Sequence, residues 1–251
     1  MTLIKLDSSA TNGTPQNFTT TFSNFVLEEN VDYEIAMISL SMNYSYPNVS
    51  SSNGNNTVEY SPNGGTNFYT VTIPDGNWSV TSLNDYIQGQ MKSNGHSSVV
   101  NGVDVFDITI SPNFNTGLVD IVLSNNFQLR FTSSTFHNLL GFNAVTLTNA
   151  SNSSTKAVDI TNGITSINIR ASIATGSIDA DGNSSDIIFS FTPTVSPYSY
   201  ISRTPTNPIY LPINTNTITS ITMRITDNLN RDLDLRGEPV NYMLHLRKAR
   251  D

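Results

Sequence analysis

Residues 240–247 read Val240-Asn241-Tyr242-Met243-Leu244-His245-Leu246-Arg247. Val240, Tyr242, Leu244 and Leu246 alternate with Asn241, Met243, His245 and Arg247. In a β-strand successive side chains point to opposite faces, so Val240, Tyr242, Leu244 and Leu246 share one face. A helix would scatter them around its axis. The same period recurs in Ile167, Ile169, Ala171 and Ile173, in Phe127, Leu129 and Phe131, and in Ile221, Met223 and Ile225. Each of these stretches buries one face and offers the other to water or a partner. Tyr33 to Met42 is apolar through its middle, Ile35 to Ile38, and reads as a central strand covered on both faces.

Further strands are expected at 17–22, 56–60, 68–73, 105–110, 118–123, 156–160, 186–191, 198–202 and 209–213. Asn-Gly pairs at 12–13, 53–54, 63–64, 94–95, 101–102 and 162–163, and Asp-Gly at 75–76 and 181–182, separate them. Such pairs accept positive φ and close tight turns. Helical spacing is rare. Leu83, Tyr86, Ile87 and Met91 predict a helix over 82–91, with Ser82 and Asp85 as a capping box. A shorter helix is expected over Thr135 to Leu140, capped by Ser133 or Ser134 and stopped by Gly141.

Many short strands between frequent turns indicate an all-β fold built from antiparallel β-sandwiches of the jelly-roll kind. The chain has 251 residues, enough for two small domains. The stretch Asn149 to Thr155 holds nothing more apolar than alanine and predicts a linker. The expected organisation is an N-terminal arm over 1–16, a first jelly roll over 17–148, a linker over 149–155 and a second jelly roll over 156–251.

Charged residues are only 13% of the chain and the net charge is -8, so a general grip on nucleic acid is not expected. The basic residues Arg247, Lys248 and Arg250 read as a solvated tail. There is no cysteine, which removes thiol catalysis, disulfides and Cys-based metal sites. No long apolar run predicts a membrane span, and the first residues lack a signal peptide's apolar core.

Catalytic motifs are missing as well. His96, His137 and His245 lie far apart, with no ligand spacing around any of them. Glu28 with Glu29, and Asp232 with Asp234, are common loop pairs, and no catalytic or cofactor-binding residue is expected. The most metal-like stretch is Asp179, Asp181, Asn183 and Asp186, a weak calcium candidate whose glycine falls out of step with an EF-hand. An Asp-Gly turn is the favoured reading. Tyr44, Tyr46, Tyr60, Phe68, Tyr69 and Trp78, and again Tyr198, Tyr200 and Tyr210, form two aromatic clusters. Core or interface packing is favoured over sugar stacking.

Several stretches, in order, resemble the capsid-type proteins of Maverick/Polinton-like double-stranded DNA viruses and their integrated elements. They are Tyr33 to Met42 leading into Tyr46-Pro47-Asn48, and Ile73-Pro74-Asp75-Gly76-Asn77-Trp78-Ser79 leading into Leu83-Asn84-Asp85-Tyr86-Ile87. Leu139-Leu140-Gly141-Phe142, Ile209-Tyr210-Leu211-Pro212-Ile213, and Leu235-Arg236-Gly237-Glu238 before Leu244-His245-Leu246-Arg247 complete the series. The resemblance implies a structural capsid subunit, either a vertex protein with an added domain or a small double jelly roll. Its partners would be copies of itself and other capsid proteins, its place the virion, and it would need no cofactor. The alternative is a receptor- or glycan-binding module of a spike or adhesin.

Overall fold

A computed structural model of the chain describes residues 2–10, 12–161, 163–179 and 182–249; the side chain of Asn24 lies outside what it describes. The fold is all-β and divides into two units, one made of residues 1–46 and 164–251, the other of residues 47–163.

The discontinuous unit begins with β1 (Thr2–Asp7), β2 (Asn12–Thr14), β3 (Asn17–Val26) and β4 (Tyr33–Asn43). The other unit supplies β5 (Thr57–Ser61), β6 (Tyr69–Thr72), α1 (Val80–Ser93), β7 (Ser98–Val100), β8 (Val103–Val105), β9 (Ile108–Asn113), β10 (Leu118–Leu123), β11 (Gln128–Arg130), α2 (Phe136–Leu140), β12 (Thr146–Leu147) and β13 (Ser151–Ser153). The chain then returns with β14 (Ile167–Ala171), β15 (Ser177–Ile178), β16 (Ser184–Ser185), β17 (Ile187–Phe191), β18 (Tyr200–Arg203), β19 (Leu211–Pro212), β20 (Thr217–Asp227) and β21 (Val240–Lys248).

In the discontinuous unit one sheet runs β1-β21-β4-β18, with β19 also on β4, and the other runs β17-β14-β20-β3-β2. Setting aside the short β2, β15, β16 and β19 and numbering the remaining eight strands along the chain gives 1-8-3-6 in one sheet and 5-4-7-2 in the other. That interleaving is the jelly-roll order. Every pairing is antiparallel, and alternate residues of both sheets face a shared core. Phe18 of one sheet meets Tyr242 of the other, with ring centroids 5.9 Å apart. The alternation of 240–246 is therefore the inner face of β21.

Of the expected arm over 1–16, Thr2–Asp7 is a strand of this sheet and Asn12–Thr14 a strand of the other. Thr2 to Asp7 pairs in register with Leu246 to Asn241, and Leu6 is 1% exposed. Alternation in Thr-Leu-Ile-Lys-Leu-Asp carries the reason: Ile4 and Leu6 reach the core while Leu3 and Lys5 face out.

The expected linker over 149–155 is also corrected. Ser151 to Ser153 is an edge strand on β10, and Ser154 bonds through both main chain and hydroxyl to Val119. An edge strand satisfied by its backbone needs no apolar side chains, so its polarity imitates a linker. The boundaries lie near 46 and 163 because the segments on either side of the second unit pair with each other rather than with it. The strand expected at 156–160 is irregular chain, and that expected at 105–110 is split between the end of β8 and β9.

The second unit has sheets β13-β10-β9 and β12-β11-β5-β6 around one core, into which α1 inserts Val80, Leu83, Ile87 and Met91. The cap of α1 is Ser79, reciprocally bonded to Ser82, one turn earlier than expected. Asn84 accepts from Ile110 N and Gln88 donates to Ile108 O, so the helix satisfies the free edge of β9.

The chain enters and leaves this unit at one buried side chain. Asn48 Nδ2 donates to Trp78 O and to Ile160 O, each at 2.8 Å, and Asn48 Oδ1 accepts from Trp78 N at 2.8 Å. Gly141, after α2, has φ +76° and a Cβ there would lie 2.2 Å from Lys156 O, so only glycine fits.

Two tests follow from this packing. Tyr242 Oη is buried with no hydrogen-bond partner among the described residues, and burial raises its pKa well above 10. Tyr242→Phe removes a desolvated hydroxyl, so stability measured by urea denaturation should hold or rise by about 1 kcal/mol.

Glu59 and Arg130 are cross-strand partners 2.8 Å apart, and the guanidinium's hydrogen bond lowers the Glu59 carboxyl from its ordinary value of 4.5. A depressed carboxyl contributes stability above its unfolded value and loses it as pH falls through the folded one. Glu59→Gln should therefore be less stable than the parent at neutral pH, with the gap closing below about pH 4 in denaturation curves.

Candidate assembly surface

Asn101 and Gly102 take φ +52° and +79°, the pattern of a two-residue type I′ turn, and join β7 to β8. Among the described residues no other strand pairs with this hairpin. Ser98 lies opposite Val105, Val99 opposite Asp104 and Val100 opposite Val103. Two faces result. One carries Val99 and Asp104, whose carboxylate meets Lys92 of α1 at 2.5 Å. The other carries Ser98, Val100, Val103 and Val105 and has no ionisable group. Val100 and Val103 are 54% and 65% exposed. An isolated hairpin with outward valines and free edges is a template for further strand pairing.

The sequence signal was Asn-Gly between β-branched residues. The turn was legible there, but three-residue strands are too short for alternation to register.

The jelly-roll unit has a second apolar opening. The register of β20 against β3 shifts between Ile218 and Ser220. Beside the shift, Ile4, Phe22, Phe25 and Ile218 line a groove of about 340 Å³ against the outer strand β1. At the opposite edge of the same sheet, Tyr198 and Tyr200 are exposed on and before β18.

The residues singled out for chemistry are held apart. Tyr60 Oη and His96 Nδ1 lie 2.8 Å apart, His137 Nδ1 lies 3.0 Å from Ser134 O, and His245 Nδ1 lies 2.5 Å from Tyr210 Oη. Glu28 bonds Lys248, Asp232 bonds Arg224, and Asp234 accepts from Arg236 N. Arg247 is no solvated tail residue. Its guanidinium bonds Glu34 and lies 3.3 Å from the centre of the Tyr210 ring. Arg250 falls outside the described residues.

In the calcium candidate, Asp179 Oδ1 accepts from Asn183 N, closing the turn between β15 and β16, and Asp186 is turned to Arg170 at 2.8 Å. Asp181 lies outside the described residues. Among the described residues no group of three or more His, Asp or Glu converges as a metal site. Of the aromatics, Trp78 is held edge-on to Tyr86 and donates Nε1 to Pro74 O, while Tyr44 stacks on Tyr46 at 4.2 Å. These rings serve packing.

No helix of the described residues is long and apolar enough to cross a membrane. No protein-family model matches the chain, and no curated protein matches it. Among solved structures the chain is similar to the selenomethionine-labelled mavirus penton protein, with a TM-score of 0.49 and 12% identity over 99% of this chain and 100% of that one.

Proposed function

We propose that this chain is a structural subunit of a viral capsid, of the minor or vertex type, which works by assembling with copies of itself and other capsid proteins in the virion. The observation that carries the reading is the interleaved eight-strand order, 1-8-3-6 over 5-4-7-2, in the discontinuous unit. Such closed sandwiches serve as shell-building blocks in viral capsids, and lectins and cupins use them too. Fold alone does not choose among these uses. The ordered motifs favour the capsid.

The charge supports the same mode of action. Copies carrying a net charge of -8 repel one another at long range, so contacts between them favour uncharged surface. The face of Ser98, Val100, Val103 and Val105 offers such a surface, with backbone edges ready to pair. No step of this function asks for a catalytic residue or cofactor.

Purified protein is expected to form trimers, pentamers or larger assemblies in analytical ultracentrifugation and by electron microscopy. Val100→Asp combined with Val103→Asp places carboxylates on an exposed hairpin face. It should weaken association by ~tenfold or more without lowering the melting temperature, because surface changes away from the core cost little. A parent protein that stays monomeric at every concentration, alone and with other capsid proteins, would refute the proposal.

A further inference from the structure

The outer face of the β17-β14-β20 sheet carries a cleft of about 560 Å³, bordered by β15 and by the turn after β20. The assembly reading makes no use of it. At its wall is Arg170, whose side chain is only 9% exposed. Arg170 Nε donates to Thr226 Oγ1, and Nη1 donates to Ser185 Oγ and Asp186 Oδ1. Nη2 has no acceptor among the described residues, yet it is not among the unpaired side-chain atoms sealed from solvent. A guanidinium this buried, with one amino group still open, is held ready to donate to an occupant.

Two neighbours are half-committed in the same way. Asn168 Nδ2 donates to Asp227 O at 3.1 Å, which leaves Oδ1 to accept. Asn228 Oδ1 accepts from Thr165 N at 2.9 Å, which leaves Nδ2 to donate. The wall thus offers donors and an acceptor on fixed side chains. Leu229, 61% exposed, adds an apolar surface in the same cleft. The charge is already compensated, since Asp186 pairs with Arg170 and Asp179 also lines the space. An anion gains little there.

We propose that this cleft binds a small neutral saccharide. Vicinal hydroxyls both give and accept hydrogen bonds, matching Arg170, Asn168 and Asn228, while the C–H face of a sugar ring packs on Leu229. The opening is of the size that takes a small ligand. The site belongs to the sandwich alone and does not depend on assembly.

Amide chemical shifts of the intact ¹⁵N-labelled chain, titrated separately with glucose, galactose, mannose and N-acetylglucosamine to ~50 mM, test it at the weak affinities expected of single sugars. At least one sugar should give saturable shifts confined to residues around 168, 190 and 228–230. Leu229→Ser, at an exposed position, should weaken that binding ~threefold or more, and Arg170→Lys ~tenfold, the loss expected for one charged hydrogen bond. Because Arg170→Lys can disturb the sheet, the Leu229 variant decides the matter if the other misfolds. Absence of saturable shifts with every sugar overturns the proposal. So do shifts centred elsewhere, shifts that Leu229→Ser leaves unchanged, or equal binding of acetate or sulfate.

Discussion

The constraint on which the jelly-roll unit depends is the pairing of its first strand with its last. Thr2 to Asp7 lies against Asn241 to Leu246 in an unbroken antiparallel register. This pairing seats Ile4 and Leu6 over the core and shields one side of β21, which packs on β4 along its other side. Closing so long a loop costs chain entropy, and only the burial of both inner faces offsets it. Ser8 extends the closure, its hydroxyl accepting from Val240 N at 2.8 Å. Without that pairing, β21 would expose a full edge, and Ile4 and Leu6 would leave the core.

The same economy explains how a second unit fits inside the first in sequence. A unit can be inserted in a loop when the chain enters and leaves it close together. Asn48 meets that condition with one buried amide that satisfies its donors and its acceptor on Trp78 and Ile160. Two of the motif stretches, Tyr46-Pro47-Asn48 and Ile73 to Ser79, meet at this side chain. Gly76 also bonds Val49 through its main chain in both directions. Their spacing in sequence therefore reports a structural clasp.

Two surface features lie in different units. The hairpin with its uncharged valine face belongs to one unit, and the cleft beside Arg170 belongs to the other. They differ in kind. The hairpin presents apolar side chains and unpaired backbone, which suit strand pairing with a like chain. The cleft presents polar groups fixed by their own partners, which suit a small hydroxylated ligand. One can therefore be altered without the other.

The sequence by itself determined strands such as β14 and β21 and which face of each is buried. Alternation is a local property, and Val240 to Arg247 or Ile167 to Ile173 displays it without reference to any other residue. It likewise determined α1, and the absence of cysteine chemistry. The tertiary structure alone decided which strands are neighbours, so the arm, the linker and the domain boundaries read from composition were displaced. A serine-rich edge strand and a true linker share a composition and differ only in whether a partner strand satisfies the backbone. Arg170 shows the same limit. On its strand it is one polar residue among apolar neighbours. Its open amino group exists only because Thr226, Ser185 and Asp186 arrive from elsewhere in the chain to hold the rest of the guanidinium.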